Sequence, residues 1–180
     1  GIVRQNSSGG FAGYGNYGFN NLTLAAAGKT TTLTSAFLVV ARLTTGSGAL
    51  TGGSNVVILN RQPGDVFFDG GASLTFGRLE YNTNNNSQNI VARDYSGVTV
   101  LRLVGATGTG GAKAYVMQGD IIANQIEMYT NNSGAENRPS VLNTNGNNIT
   151  ASKLTLGVAG QTQWYAQVNT ASSTITINGN

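Results

Sequence analysis

The feature that most constrains the fold is a set of short runs in which apolar residues occupy every second position. Each run is bounded by clusters of Gly, Asn or Ser, a pattern typical of β-strands separated by tight turns. None of them shows the 3.6-residue periodicity of a helix. The sequence therefore predicts an all-β fold. The runs are FNNLTL (19–24), TTTLT (30–34), ALTGG and NVVIL (49–59), SLTFGRLEY (73–81), GVTVLRLVG (97–105), DIIANQIEMYT (120–130), NITASKLTLG (148–157) and STITING (173–179).

Three runs share a longer pattern and indicate an internal repeat. LTFGRLEY (74–81), IIANQIEM (121–128) and ITASKLTL (149–156) overlay, with Arg78, Gln125 and Lys153 before the second apolar pair. Equivalent positions then recur every 20 to 30 residues or so, the length of one turn of a β-solenoid. The proposed anchors are Leu22, Leu79, Leu101, Ile126, Leu154 and Ile175, with further rungs near Leu43 and Val57.

We therefore expect a parallel β-helix of roughly seven to eight irregular coils, forming a single domain over residues 19–180. The Gly- and Tyr-rich residues 1–18 are expected to be a cap, a linker or a contact segment. In such a fold leucines of adjacent turns stack at about 4.8 Å, and Gly and Asn occupy corners that need left-handed backbone. Asn stacked on Asn can also form amide ladders along the axis.

A β-sandwich or jelly roll, as in pilus-like subunits that exchange strands, is the alternative. It also yields many short strands with turn signals. It explains the alternation but neither the eight-residue repeat nor the Asn-rich corners.

Composition argues against most catalytic and nucleic-acid functions. The chain has no Cys and no His, so thiol nucleophiles, the usual zinc ligands and the commonest general base are missing. We expect no enzyme activity, no metal and no cofactor. The ten Lys and Arg form no run, so no nucleic-acid partner is expected. No apolar stretch approaches the roughly 20 residues of a membrane span.

Paired carboxylates are the enzymatic alternative, because parallel β-helices often carry polysaccharide lyases and hydrolases. Asp65 and Asp69, in GDVFFDGG, would lie roughly 13 Å apart on an extended strand, beyond the 5 to 9.5 Å or so that glycoside hydrolysis needs. A turn could bring them closer, or Asp94 or Glu80 could approach from the adjacent coil. Otherwise these are turn residues and solvated charges.

Aromatic residues are the best candidates for ligand contact, because their rings stack on sugars at little cost in side-chain entropy. Trp164 and Tyr165 are adjacent, so one of them should point outward from a strand, and Phe67 and Phe68 have the same property. The predicted contact residues are Trp164, Tyr165, Phe68, Tyr14 and Tyr17. The alternative is that they fill the core and cover an edge.

The segments LNTNGNNITASKLTLG (142–157) and ASSTITINGN (171–180), with the FNNLTL region (19–59), carry a family resemblance. They resemble β-helical repeats of bacteriophage fibre and tailspike-like proteins and of secreted bacterial surface proteins of Bacteroidetes type. The resemblance covers roughly the first and last thirds of the chain. It implies a parallel β-helix with an exposed adhesive or fibrous role, located extracellularly or at a cell or virion surface, and it brings no catalytic residues.

Open solenoid ends expose strand edges that must be capped or paired. Neither end carries the charge or Pro that would blunt it. We therefore expect self-association, as a homotrimer or an end-to-end fibre, with a cell-surface polysaccharide or receptor as the external partner.

Overall fold

The fold was analysed in a computed structural model that describes residues 19–60, 64–83, 87–106, 113–131, 140–157 and 166–179. These residues form β-strands joined by turns, without a helix, which confirms the all-β prediction. The strands are β1 (Phe19–Leu24), β2 (Thr30–Thr32), β3 (Phe37–Thr45), β4 (Ala49–Thr51), β5 (Val56–Asn60), β6 (Phe67–Phe68), β7 (Ser73–Thr83), β8 (Ser87–Ile90), β9 (Arg93–Asp94), β10 (Val98–Ala106), β11 (Lys113–Met117), β12 (Ile121–Asn131), β13 (Ser140–Asn143), β14 (Ile149–Leu156), β15 (Ala166–Asn169) and β16 (Ile175–Ile177).

The strands stack in parallel, each against its counterpart one turn away. One sheet runs in the order β1-β3-β5-β7-β10-β12-β14-β16, and a second in the order β8-β11-β13-β15. Short strands β2 and β4 pair with each other, and β4 also pairs with β7. This is a β-solenoid, as predicted. The sandwich alternative is wrong because its sheets would be antiparallel, and the pilus-like strand-exchange reading loses its structural basis with it.

The register confirms most of the predicted anchors. Leu79, Leu101, Ile126 and Leu154 lie opposite one another on successive turns, and Leu22 lies opposite Leu43.

Two details of the predicted winding are wrong. Ile175 pairs with Ile149 rather than with Leu154. The winding amounts to about five turns, slightly fewer than the seven to eight predicted.

The core is a dry column of inward side chains. We name the stack of Leu79, Leu101, Ile126 and Leu154 the leucine column. Beside it in the long sheet, Tyr81, Leu103 and Met128 stack on one another, and all three are buried. The hydroxyl of buried Tyr115, from the second sheet, donates to the carbonyl oxygens of Tyr81 (2.9 Å) and Val104 (2.6 Å). The core therefore buries the apolar ring of Tyr115, while its hydroxyl hydrogen-bonds to backbone carbonyl oxygens.

Corners and ladders follow the predicted chemistry. Asn145 and Gly146 turn the chain with φ of 54° and 81°, the left-handed region that these residues tolerate best. The side-chain amide of Asn169 donates to Asn143 Oδ1 on the preceding turn at 2.8 Å, which confirms the amide ladder at this position. At Asn55 the side-chain amide instead donates to backbone, to the Leu33 carbonyl oxygen of the neighbouring turn at 2.7 Å.

Candidate functional site

Phe68 is the predicted contact residue whose surroundings the structure describes. Within β6 the ring of Phe67 is buried and that of Phe68 is 44% exposed, so the prediction that one of the two points outward is confirmed. Trp164, Tyr165, Tyr14 and Tyr17 lie outside the described residues.

The strand that carries Phe68 is held firmly. Phe67 and Phe68 pair with Leu43 and Thr44 of β3. The guanidinium of Arg93 lies 5.9 Å from the centre of the Phe67 ring and forms an ion pair with Asp69 at 2.7 Å. The exposed ring is therefore presented from a fixed backbone rather than from a free loop.

A polar ladder starts three residues before Phe68 and crosses three turns. Asn89 Nδ2 donates to Asp65 Oδ1 at 2.8 Å, and Gln118 Nε2 donates to Asn89 Oδ1 at 3.0 Å. Asp65 and Gln118 are exposed. We name Phe68, together with the ladder of Asp65, Asn89 and Gln118 that starts three residues earlier in the chain, the aromatic site. The amide and carboxylate groups of the ladder can bind hydroxyls.

The proposed carboxylate pair is engaged with other groups. Asp69 Oδ1 accepts hydrogen bonds from Thr45 Oγ1 and from the backbone N–H of Gly71, each at 3.0 Å, besides its ion pair with Arg93. Asp65 accepts the hydrogen bond from Asn89. Both carboxylates therefore have an evident role in joining one turn to the next.

Asp94 and Glu80 also face other partners. Asp94 Oδ1 accepts the backbone N–H of Ser96 at 2.7 Å, and hydrogen bonds from the Ser96 side chain and backbone lower the pKa of Asp94. Glu80 lies on β7 beside Arg78, whose Nε is 3.3 Å from Glu80 Oε2.

A stacked column of charges on the outer face was missed by the sequence analysis, which treated these residues as scattered. The charge column consists of Glu80, Arg102 and Glu127, which lie opposite one another on successive turns. Arg102 Nη2 is 2.6 Å from Glu127 Oε2, and its Nη1 is 3.7 Å from Glu80 Oε2. Gln125 Nε2 donates to Glu127 Oε1 at 2.8 Å.

Glu80 is the unusual member of the column because its side chain is only 1% exposed. Burial raises the pKa of Glu80, while the guanidinium groups of Arg78 and Arg102 oppose that rise and Glu127 adds to it. The sequence did contain a sign of this column, because the overlay of residues 74–81 and 121–128 aligns Glu80 with Glu127.

The described residues contain no group of three or more acidic side chains arranged to hold a metal ion. None of them forms a helix that is long and apolar enough to cross a membrane.

Comparison with known proteins gave no relative. No family model matches the sequence, and no curated protein or solved structure matches it significantly. The resemblance to bacteriophage fibres and bacterial surface proteins therefore stays a prediction.

Proposed function

We propose that this chain is a non-enzymatic structural and adhesive module of a fibre on a cell or virion surface, which self-associates and contacts a cell-surface glycan. One observation carries the proposal: each acidic side chain that the structure describes binds another group of the same chain. The contacts join Asp65 to Asn89, Asp69 to Arg93, Glu80 to Arg78, Asp94 to Ser96, Asp120 to Asn148 and Glu127 to Arg102.

Four of these six contacts join one turn to the next, so the polar groups support an elongated shape. Asp120 Oδ1, for example, accepts the backbone N–H of Asn148 on the following turn at 2.7 Å. Only 9% of the residues are charged, and neutral Asn, Thr and Gln supply much of the remaining polar surface. Polar side chains that stabilise the stacking of turns suit a structural module that presents an outer surface for binding.

The aromatic site is the surface that we assign to the glycan. A sugar ring presents an apolar face that stacks on an aromatic side chain and hydroxyls that pair with amides and carboxylates. Phe68 supplies the ring, and Asp65, Asn89 and Gln118 supply the polar groups in a row along the solenoid axis. Such a row suits successive units of a polysaccharide better than a single small molecule.

Glycan binding tests this proposal. The chain is screened against immobilised neutral and acidic polysaccharides, and the best binder is measured by titration calorimetry. Phe68→Ala should weaken binding about tenfold, because a stacked ring contributes on the order of 1 to 1.5 kcal/mol. Phe37→Ala is the matched control, since Phe37 is 43% exposed at a different place on the outer surface.

Equal affinity in the two variants, or no binding to any polysaccharide, would contradict the assignment of Phe68. Shortening of the polysaccharide chains during incubation, abolished by Asp69→Asn or Asp94→Asn, would instead support a polysaccharide-processing enzyme.

A further inference from the structure

The polar ladder of the aromatic site continues beyond Gln118 along the outer face of the second sheet. One register position on the four strands β8, β11, β13 and β15 holds Asn89, Val116, Asn143 and Asn169. Gln118 supplies the amide on the turn of Val116, where its Nε2 lies 3.4 Å from the Val116 carbonyl oxygen and 3.0 Å from Asn89 Oδ1. Five successive turns therefore carry a carboxylate or an amide at this place. We name these residues the amide row: Asp65, Asn89, Gln118, Asn143 and Asn169.

The amide row faces solvent. Asn89 and Asn143 each follow a buried, inward residue on their strands, so both point outward. A side-chain amide has two N–H donors and two acceptor lone pairs. The contact between Asn169 and Asn143 uses one donor and one lone pair, so the row can stay intact while the remaining groups bind hydroxyls. The exposed members are Asp65, Gln118 and Asn169.

The strands set the spacing of the row. Neighbouring parallel strands lie about 4.8 Å apart, so the row covers about 19 Å along the solenoid axis. A pyranose ring with its bridging oxygen has nearly the length of one strand spacing when both of its bonds to the chain are equatorial, as in β-1,4-linked glucose. Such a chain is extended and stays in step with the turns. An α-1,4-linked chain of the same sugar coils and cannot follow a straight row.

Charge favours a neutral ligand for the amide row. Its one charged member is Asp65, and it contains no basic side chain. The carboxylates of an acidic polysaccharide would find no guanidinium or ammonium partner in the row, and Asp65 would repel them. Arg93, which follows Asn89 on the same turn, forms its ion pair with Asp69 at 2.7 Å. The hydroxyls of a neutral sugar, in contrast, meet a suitable partner on every turn of the row.

We infer that the amide row binds a neutral, extended polysaccharide laid along the solenoid axis, with one sugar unit on each turn. The bound stretch is about five sugars long, one for each residue of the row. Phe68 follows Asp65 by three residues and belongs to the turn at which the row begins. The inference rests on the glycan binding proposed above, and it adds the linkage, the charge and the number of sugar units.

A length series of β-1,4-linked gluco-oligosaccharides tests the inference by titration calorimetry. Affinity should rise about threefold with each added sugar, because each unit adds a hydrogen bond of modest net strength. The rise should level off at about five units, when every residue of the row is engaged. The α-1,4-linked gluco-oligosaccharides contain the same sugar, and at equal length they should bind at least about tenfold more weakly.

Gln118→Ala removes one exposed amide from the middle of the row. It should lower the affinity for the β-1,4-linked pentasaccharide about threefold and leave that for the disaccharide unchanged, since a disaccharide can bind elsewhere along the row. Asn124→Ala is the matched control, because Asn124 is an exposed amide on β12 of the other sheet. It should bind both oligosaccharides like the unmodified chain. Circular dichroism of each variant establishes that it is folded.

The outcomes separate this inference from the proposed function. Identical affinities for the α- and β-linked series, or an affinity that stops rising at the disaccharide, would overturn the row and leave the stacking of a glycan on Phe68 standing. Equal losses in Gln118→Ala and Asn124→Ala would overturn it as well. Failure of every oligosaccharide to bind would do the same, and the polysaccharide screen then decides whether glycan binding as a whole fails with it.

Discussion

Leu101→Ala tests the leucine column directly. Leu101 is 1% exposed and lies between Leu79 on the preceding turn and Ile126 on the following one. Truncation removes buried carbons and leaves a cavity closed above and below by side chains that are tied to paired strands. Such sites relax poorly, so we expect the free energy of unfolding to fall by about 3 to 4 kcal/mol.

The position along the column predicts a contrast. Leu154 lies in the same column, next to Ile126, but it is only partly buried. Leu154→Ala should therefore cost about 1 kcal/mol, because less buried area is lost. Thr99→Ala, on the exposed face of β10, should change stability by less than about 0.5 kcal/mol.

Equilibrium unfolding in urea, followed by circular dichroism and by tyrosine fluorescence, measures these differences. Agreement of the two probes is required, because stacked turns can unfold in parts. Equal losses for Leu101→Ala and Leu154→Ala, or a loss at Leu101 no larger than that at Thr99, would refute a continuous column of stacked side chains.

Two further predictions concern the charge column and the contact between turns. Because the pKa of Glu80 is raised in the folded chain, its protonated form favours folding, and this contribution is lost as pH rises through the folded pKa. From about pH 5 to about pH 8, the free energy of unfolding measured in urea should fall more for the unmodified chain than for Glu80→Gln. A difference between the two that stays constant with pH would contradict this. Gly97→Ala would place its Cβ against the carbonyl oxygen of Leu74 on the preceding turn, so thermal unfolding should reveal a loss of about 1 to 3 kcal/mol. A melting temperature equal to that of the unmodified chain would refute the close approach.

Much of the fold could be predicted because each turn repeats the same local chemistry. The overlay of residues 74–81, 121–128 and 149–156 placed Leu79, Ile126 and Leu154 at one position. In the structure Ile126 pairs directly with Leu154, and Leu101 lies between Leu79 and Ile126. Alternation in β6 likewise predicted that Phe67 and Phe68 face opposite ways.

The register of the last strand could not be predicted with the same rule. Ile149 and Leu154 both point inward on β14, five residues apart, so each is a plausible counterpart of Ile175. The short run STITING carries one apolar pair and cannot tell these positions apart. Because the turns differ in length, spacing along the sequence does not decide between Ile149 and Leu154 as the counterpart of Ile175.

The charge column was hidden for a related reason. Arg102 and Glu127 are 25 residues apart in sequence, and their contact depends on the lengths of the intervening loops. In the linear sequence these charged residues are far apart and form no cluster. Only the stacking of turns shows that a buried carboxylate and two guanidinium groups share one part of the surface.

Among the described residues, the polar ladders connect each turn to its immediate neighbours, as Asn169 does with Asn143. A protein built in this way can gain or lose a whole turn by duplication or deletion of one repeat. Each such event changes its length by about 4.8 Å while the contacts on either side of the junction are reproduced. Length thereby becomes a trait that can vary between descendants in discrete increments, independently of the side chains that the outer surface displays.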